Sequence, residues 1–381
     1  MNRKRILIDT APVVPYFVSG RVSGIGRTTM ELIQALDRLT DLPFDVMLYS
    51  QNMKGIGGRN LGTHFPCRHL YLPNRTRWNK ALAYFPVREA LTRYDLMHIT
   101  HNFEYVHRPD RCIVTIHDAL FMRMQEKQFA HESMRLEVPP LARTCRHIVT
   151  CSEASKRDIA ETMDVPMEKI SIIYWGVKHH IFHPLDIARP DLMATLRKRF
   201  PSLPTDFFLS VSCNAERKRT HLLVEAYIEL FRQHPTNDLV LVWGNAPEWL
   251  HAQVNASPAA GHIHFLPNVC DEELAMLYNA ATASLTPSAY EGFGLPLLEA
   301  MACGTPVATC RNSSLEEIGG DAAVYMDEDI VRSANHVMEL FENNAIDSMQ
   351  LRQRGITRAA QFTWEKAAAQ YAALYEKLLN A

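Results

Sequence analysis

Two glutamates, Glu291 and Glu299, frame a glycine-containing loop in the second half of the chain. Pro296 suits the first position of a helix, where its missing N–H costs nothing. Gly304 suits the left-handed residue just beyond the end of that helix. The loop between Glu291 and Pro296 therefore presents backbone N–H groups at a helix N-terminus, where the helix dipole favours an anion such as a diphosphate. The predicted anion-binding residues are Gly292, Phe293, Gly294 and Leu295.

The positions of the two glutamates suggest different partners. Glu299, which we place in the first helical turn, can accept two hydrogen bonds from a ribose diol. Glu291, which precedes the glycines, can reach hydroxyls of a sugar beyond the phosphates. Arg217 and Lys218 lie where another apolar run, 207–211, ends before a helix. Two adjacent cations there can neutralise a diphosphate leaving group.

Candidate groups in the first half also lie at the ends of apolar runs. Gly24 and Gly26 bring the backbone close to a ligand, and Thr28 is predicted to open the next helix. The run 112–116 ends in His117 and Asp118. A lone histidine is more often structural than catalytic, but this one lies at the predicted carboxyl end of a strand, where open α/β sheets bind ligands.

Short apolar runs alternate with longer amphipathic segments along the chain, which indicates parallel, doubly wound α/β sheets. The alternation is interrupted between His183 and Asp206, where four prolines lie without a long apolar run. We interpret this interval as a linker between two Rossmann-like domains. The predicted divisions are a first domain over 1–185, a second domain over 186–362 and a terminal helix over 363–381. Two facing sheets would form a cleft.

The segment from Glu291 to Pro306 resembles the E-x7-E signature of the retaining glycosyltransferases of family 4, which have the GT-B fold. Within that family the chain looks closest to the mannosyltransferases that build bacterial O-antigen chains. The resemblance implies that Glu291 contacts the donor sugar and Glu299 the nucleotide ribose. It also implies transfer of mannose from GDP-mannose in an alpha linkage, with UDP-sugars open as alternatives. The acceptor would be a glycan, including one linked to polyprenyl diphosphate. By the same resemblance, the domain over 1–185 would bind the acceptor, the domain over 186–362 would bind the nucleotide sugar, and the terminal helix over 363–381 would cross back to the first domain.

Further motifs extend this resemblance over most of the chain. The stretch Gly24–Thr28 resembles a Gly-Ile-Gly-Arg-Tyr segment, with Thr28 in place of the tyrosine. His117 and Asp118 resemble a His-Asp pair whose histidine lies against the donor sugar, and Asp118 is a candidate acceptor contact. Ser152 begins a Ser-x-x-Ser-Lys element that we interpret mainly as a helix cap and as a further candidate acceptor contact.

Two donor motifs in the second half also match the family. Pro267–Val269 resembles the segment whose backbone meets the nucleotide base, so Val269 is a predicted donor contact. Many family members have an arginine where this chain has Cys213. A subgroup has an Arg-Lys pair that Arg217 and Lys218 match, so Arg217 would do the work of the missing arginine.

Composition sets broader limits. The chain has 381 residues, 47% of them hydrophobic and 22% charged, with a net charge of −2, which is typical of a globular protein. Residues 1–185 contain 25 Lys/Arg against 18 Asp/Glu, and the remainder contains 15 against 24. The absence of a long apolar run predicts a cytoplasmic protein without a cleaved leader or spanning helix. The eight cysteines show no CxxC spacing, so a zinc site is not expected.

The segment Arg75–Arg93 mixes cations with aromatic side chains, which suits an anionic membrane surface at about 1 kcal/mol per cation. An ordinary surface helix is an equal alternative. The residues concerned are Arg75, Arg77, Lys80, Arg88 and Arg93 with Trp78, Tyr84 and Phe85.

Other functional classes have less support. Asp327–Asp329 matches a DxD metal motif literally, but it follows the last predicted strand, so we interpret it as a solvated loop and predict no metal and no cofactor. No complete GxGxxG follows the first strand, which disfavours a nicotinamide enzyme. Nothing beyond the basic first half suggests nucleic-acid binding. A nucleotide-sugar epimerase and a non-catalytic nucleotide-sugar or glycan-binding protein remain the rival interpretations.

Overall fold

The computed structural model describes residues 3–20, 23–53, 55, 61–71, 76–124 and 131–381. The chain forms two compact units. The N-terminal unit comprises Met1–Gly176 with Trp364–Ala381, and the C-terminal unit comprises Val177–Thr363. Within the described ranges, no helix combines the length and apolar composition needed to cross a bilayer.

A seven-stranded parallel sheet forms the centre of the N-terminal unit, in the order β3-β2-β1-β4-β5-β6-β7. Its strands are β1 Arg5–Asp9, β2 Asp45–Gln51, β3 Cys67–Leu70, β4 Leu96–Ile99, β5 Cys112–Thr115, β6 His147–Thr150 and β7 Ile170–Ile172. Ile6 and Ile8 pack on one face of the sheet and Leu7 on the other. All three are fully buried, because side chains alternate along a strand and helices cover both faces.

The helices of the N-terminal unit include the last helix of the chain. They are α1 Val14–Ser19, α2 Gly24–Asp37, α3 Thr76–Tyr84, α4 Val87–Leu91, α5 Leu120–Arg123, α6 His131–Thr144, α7 Glu153–Met163 and α16 Trp364–Asn380. Trp364, Tyr371 and Tyr375 of α16 are buried in the same hydrophobic cluster as Ile6 and Leu36. The terminal helix thus completes the core on one face of this sheet.

The C-terminal unit is built around a six-stranded parallel sheet in the order β10-β9-β8-β11-β12-β13. Its strands are β8 Phe207–Val211, β9 Asp238–Val242, β10 Ile263–Leu266, β11 Ala283–Thr286, β12 Val307–Cys310 and β13 Val324–Met326. Its helices are α8 Arg189–Arg199, α9 Thr220–Gln233, α10 Glu248–Asn255, α11 Asp271–Ala280, α12 Leu295–Ala302, α13 Ser313–Gly319, α14 Ile330–Glu342 and α15 Ser348–Ala359.

Both sheets reverse their strand order once, between β1 and β4 and between β8 and β11. Ligands of open α/β sheets bind at such switch points, outside the carboxyl ends of the strands. The prediction of two doubly wound parallel sheets is confirmed.

The predicted linker over 183–206 is wrong. Residues Arg189–Arg199 form helix α8, and Pro190 lies in its first turn, where proline is tolerated. Leu192, Met193 and Leu196 of this helix are buried in the C-terminal unit. The prolines therefore mark the ends of a short packed helix.

Candidate active site

Glu291 lies between two cations at the switch point of the C-terminal sheet. Arg217 and Lys218 follow β8, and Glu291 follows β11. The Nη1 atom of Arg217 is 3.0 Å from Oε2 of Glu291, and Nζ of Lys218 is 2.7 Å from Oε1. Nη1 of Arg217 also donates to the carbonyl oxygen of Tyr290 at 3.0 Å. The structure thus brings together three of the four predicted catalytic residues.

The two cations determine the ionisation of Glu291. Burial alone would raise the pKa of this carboxyl, but the charges of Lys218 and Arg217 outweigh it and lower the pKa to about 2. Glu291 is therefore a carboxylate at neutral pH. An ionised carboxylate accepts hydrogen bonds and donates none, so it suits the binding of sugar hydroxyls and not proton donation.

The loop after Glu291 leads directly into helix α12. Gly294 is the N-cap residue with φ 102°, in a region that L side chains rarely adopt. Pro296 lies in the first turn, as its position predicts, and Gly304 just beyond the helix has φ 76°. The first N–H groups of α12 lack partners within the helix, which is the usual arrangement of an anion site.

Two details of this loop differ from the prediction. The helix begins at Leu295, so Glu299 lies in the second turn and not in the first. Phe293 is 1% exposed, and its ring packs edge-on against Phe362 with centroids 6.0 Å apart. Its side chain belongs to the core, so only its backbone can serve a ligand. Glu299 is also buried, at 4% exposure.

Val269 lies in the connection between β10 and α11 and is half-buried. The preceding Asn268 has φ 54°, a left-handed conformation that asparagine tolerates better than most residues. Its backbone nitrogen lies 4.0 Å from the position that a Cβ on Gly244 would occupy. The carboxyl ends of β9 and β10 thus approach each other closely here.

The glycines of the N-terminal unit are arranged differently from the prediction. Helix α2 begins at Gly24 and not at Thr28, because the hydroxyl of Ser23 caps it by accepting the N–H of Gly26 at 3.1 Å. Gly24 and Gly26 are therefore the first and third residues of a helix. The N–H of Gly26 is already engaged, which limits its use for a phosphate.

His117 follows β5 and is 4% exposed. Its Nε2 lies 3.0 Å from the carbonyl oxygen of Thr100, which can only accept, so Nε2 carries the proton. Its backbone N–H donates to Oδ1 of Asn102 at 3.0 Å. Burial lowers the pKa of the ring to about 4, so His117 is neutral at pH 7. Nδ1 is buried without a hydrogen-bond partner among the described residues and is left as an acceptor.

The two candidate acceptor contacts have local structural roles. Oδ1 of Asp118 accepts the N–H of Leu120 at 2.9 Å. Ser152 is the N-cap of α7, and its hydroxyl accepts the N–H of Ser155 at 3.0 Å. Ser152 is fully buried, so a direct contact between its side chain and an acceptor is not supported.

Sequence reasoning missed a polar group at the switch point of the N-terminal sheet. Asp9, His101 and Glu104 place their ligating atoms within 4.8 Å of one another. Burial raises the pKa of Asp9 to about 6. Arg88, which the sequence assigned to a surface, is 1% exposed, and its Nη2 lies 3.7 Å from Oε1 of Glu104. The guanidinium of Arg88 is thus a buried positive charge beside the carboxyl groups of Asp9 and Glu104.

Sequence reasoning also missed four residues around Glu291, at the ends of β11 and β12: Ser288, Asn312, Ser313 and Ser314. Their only sequence signal is that each follows a buried strand, as the predicted site residues do.

The segment that matches a DxD motif lies between β13 and α14. Its residues Asp327, Glu328 and Asp329 are exposed, as expected of a solvated loop. Asp329 caps α14 by accepting the N–H of Arg332.

Two family models match the chain. The model described as Glycosyltransferase Family 4 matches residues 22–180, and the model described as Glycosyl transferases group 1 matches residues 195–361. The O-antigen chain mannosyltransferase B of Escherichia coli is 29% identical over 73% of this chain and 73% of its own length. The serotype-specific mannosyltransferase WbdA of Escherichia coli is 28% identical over 58% of this chain, but that match spans only 27% of WbdA.

Solved structures agree on the fold. Sucrose-phosphate synthase from Thermosynechococcus elongatus superposes with a TM-score of 0.75 at 20% identity, over 99% of this chain and 100% of that one. HepE from Anabaena, in complex with UDP and glucose, superposes with a TM-score of 0.71 at 17% identity, over 98% and 100% of the two chains. Both family models that match the chain describe glycosyltransferases, so the interpretations as an epimerase or a non-catalytic binding protein are set aside. The chain belongs to the family 4 glycosyltransferases and has the GT-B fold.

Proposed function

We propose that this enzyme transfers mannose from GDP-mannose onto a glycan acceptor with retention of the anomeric configuration, in the synthesis of a surface glycan. The observation that carries the proposal is the contact of Arg217 and Lys218 with Glu291 beside the N-terminus of α12. Cations and the N–H groups at a helix N-terminus suit a diphosphate, and an adjacent carboxylate suits sugar hydroxyls.

In the proposed reaction, the bond between the anomeric carbon and the diphosphate oxygen breaks as the acceptor hydroxyl attacks from the side that the leaving group vacates. The departing phosphate oxygen takes the proton of the acceptor hydroxyl. Arg217, Lys218 and the N–H groups of 292–295 stabilise the charge that develops on the diphosphate. Glu291 orients the hexose, and no nucleophile from the enzyme is needed.

The remaining donor contacts are proposals that rest on the family resemblance. Glu299 would bind the ribose, and the backbone at Val269 the base. In the N-terminal unit, Gly24 would contribute its backbone and His117 its unprotonated Nδ1. A neutral histidine with a buried acceptor atom is suited to a sugar hydroxyl. The contribution of Gly26 is restricted to its Cα and carbonyl, because Ser23 holds its N–H.

The choice of mannose is supported by the names of the curated relatives, which include the O-antigen mannosyltransferases B and RfbU. A UDP-sugar is the alternative donor, since backbone contacts at Val269 say little about the base. The acceptor is proposed to be a lipid-linked or polysaccharide chain, including one carried on polyprenyl diphosphate.

A cytoplasmic location with peripheral contact to the inner membrane face is a further proposal. Tyr84 and Phe85 are 77% and 63% exposed at the end of α3, and Lys80 and Arg93 are exposed nearby in the chain. Burial of Arg88 removes one of the predicted cations. Arg75 and the side chains of Arg77 and Trp78 lie outside the described residues, so the contact rests on fewer groups than the sequence suggested.

The test is a screen of labelled GDP- and UDP-sugars with synthetic and lipid-linked glycan acceptors, with the wild-type enzyme and E291A side by side. We expect one nucleotide sugar to support transfer to an acceptor, an alpha-linked product, and loss of transfer in a folded E291A variant. Near-normal turnover by E291A would contradict the assigned role of Glu291, and an inverted product would contradict the retaining mechanism.

A further inference from the structure

The residues around Glu291 form a closed circuit of hydrogen bonds. The N–H of Glu291 donates to Oγ of Ser313 at 3.0 Å, and that hydroxyl donates to Oδ1 of Asn312 at 3.2 Å. Nδ2 of Asn312 donates to the carbonyl oxygen of Ser288 at 3.1 Å. Oγ of Ser288 donates to Oε1 of Glu291 at 2.8 Å. The circuit therefore starts at the backbone of Glu291 and returns to its carboxylate.

A fifth hydrogen bond fixes the other side of the same residue. Oγ of Ser314 donates to the carbonyl oxygen of Glu291 at 2.8 Å. Ser288 and Ser314 are both fully buried, where an intramolecular hydrogen bond does not compete with water. The backbone N–H, the backbone carbonyl and the carboxylate of Glu291 are thus each held by a different serine.

Ser313 adopts a strained conformation to make its contact. Its φ is 44°, in the left-handed region that is unfavourable for an L residue other than glycine. Such strain persists where surrounding interactions determine the conformation, and it is concentrated at functional sites. A glycine at position 313 would relieve this backbone strain, but it would also remove the hydroxyl that accepts the N–H of Glu291.

We propose that Ser288 and the segment Asn312–Ser314 are positioning residues for Glu291, an inference that rests on the proposed function. Arg217 and Lys218 hold the carboxylate only while they are free of donor phosphate. When the donor diphosphate binds these cations, their ion pairs with Glu291 weaken. The neutral hydrogen bonds from the two strand ends then keep the carboxylate directed at the hexose.

Ser313→Gly is the decisive variant because it has two separable effects. It relieves the backbone strain, which favours stability, and it removes the hydroxyl that holds the N–H of Glu291, which should lower activity. The reference is Asn344→Gly, since Asn344 has φ 52° in the connection between α14 and α15 of the same unit. Both changes relieve left-handed strain, and in Ser313→Gly this offsets the loss of the hydroxyl, so both variants are expected to remain folded. We expect Ser313→Gly to lower kcat/KM on the order of tenfold, the effect of losing about one hydrogen bond. Asn344→Gly should leave it unchanged.

Two further measurements separate positioning from general disruption. The Kd of the nucleoside diphosphate, which lacks the hexose, should stay at the wild-type value in Ser313→Gly. In an E291Q background, Ser313→Gly should lower the residual kcat/KM by much less than tenfold, because both changes act through one residue. Ser288→Ala removes only the hydroxyl that donates to Oε1 of Glu291. It serves as a second variant should Ser313→Gly destabilise the fold.

The outcomes are distinguishable. Wild-type kcat/KM in a folded Ser313→Gly or Ser288→Ala variant would overturn the positioning role and leave the role of Glu291 intact, provided that E291Q shows its expected large loss of transfer. A parallel loss of nucleoside diphosphate affinity would also overturn it, because the site as a whole would then have changed. Full activity of E291Q itself would refute the proposed function, and the positioning role with it.

Discussion

Lys218 and Glu291 are joined by the shortest ion pair of the C-terminal switch point, with Nζ 2.7 Å from Oε1. Arg217 approaches the other carboxylate oxygen at 3.0 Å. The two cations proposed to receive the donor diphosphate are therefore already engaged by a carboxylate of the protein. A bound diphosphate and Glu291 must share or compete for the same positive charge.

This competition gives the first prediction. E291Q removes the competing charge and preserves the shape of the side chain, so Arg217 and Lys218 become more available to phosphate. We expect transfer to fall by two orders of magnitude or more, a size typical of removing an interaction directed at the reacting group. The affinity for the nucleoside diphosphate should stay equal or become several-fold tighter by isothermal titration calorimetry.

Asp206→Asn is a suitable control for the change in net charge. Asp206 pairs with Arg189 at 2.7 Å, and both side chains are about half exposed, so the pair contributes little. We expect this variant to keep wild-type turnover and nucleotide affinity. Weaker nucleotide binding in E291Q than in Asp206→Asn would contradict the competition between Glu291 and phosphate.

The lowered pKa of Glu291 predicts a specific dependence of stability on pH. Its pKa falls from 4.5 to about 2 in the folded protein, so the folded state favours the ionised form. The resulting stabilisation is present above the unfolded pKa of about 4.5 and is lost as the pH falls towards 2. It is on the order of 3 kcal/mol at neutral pH.

The measurement compares wild type with E291Q. Chemical denaturation is monitored by hydrogen exchange on peptides of the C-terminal unit. At pH 7 the unfolding free energy of the wild type should exceed that of E291Q. That difference should shrink steadily below pH 4.5. A difference that stays constant down to pH 3 would show that the ion pairs do not determine the pKa of Glu291.

Gly294 gives a prediction for the loop that precedes α12. Gly294→Ala would place a Cβ 3.0 Å from Cδ2 of Leu315 on a backbone with φ 102°. Gly261→Ala is the matched control, because Gly261 has φ 88° but open space around it. Both variants should lose about 1 kcal/mol or more of stability from backbone strain. Only Gly294→Ala should also weaken nucleotide-sugar binding, as measured by titration; equal affinities in both variants would exclude this loop from the site.

Much of this arrangement follows from patterns in the sequence. Buried parallel strands are continuous apolar runs, so β1, β5 and β11 are visible without a structure. Glycine and proline mark the two ends of α12 because only they fit the required backbone there. Chemistry at the carboxyl ends of the strands then follows from topology, which placed Arg217, Lys218 and Glu291 together.

Other features depend on tertiary contacts that no local pattern reports. Arg88 resembles a surface cation, yet it is buried, where it donates to the carbonyl oxygen of Tyr105 and forms an ion pair with Glu104. Ser313 and Glu291 are far apart in sequence, and their hydrogen bond exists only because β11 and β12 are neighbours. Helix α2 begins at Gly24 because the hydroxyl of Ser23 caps it, although glycines have a low intrinsic helix propensity.

The terminal helix gives the last prediction, for the stability of the N-terminal unit. The hydroxyl of Tyr375 in α16 lies 2.6 Å from Nδ1 of His98, and Nε2 of His98 lies 2.7 Å from Oγ1 of Thr115. Burial lowers the pKa of His98 to about 3, so the ring is neutral and Nδ1 needs a hydrogen-bond partner in either tautomer. Tyr375→Phe leaves that buried nitrogen without one, which should cost about 1–3 kcal/mol in urea denaturation.

Tyr371→Phe provides the matched comparison on the same helix. The hydroxyl of Tyr371 lies 3.4 Å from Oγ1 of Thr115, at the outer limit of a hydrogen bond, and Oγ1 keeps its contact with His98. We expect Tyr371→Phe to cost clearly less than Tyr375→Phe, because it leaves no nitrogen unsatisfied. Equal losses would mean that the helix is held by ring packing alone. A larger loss in Tyr371→Phe would contradict the contribution of the hydrogen bond between Tyr375 and His98, since Nδ1 would then not depend on Tyr375.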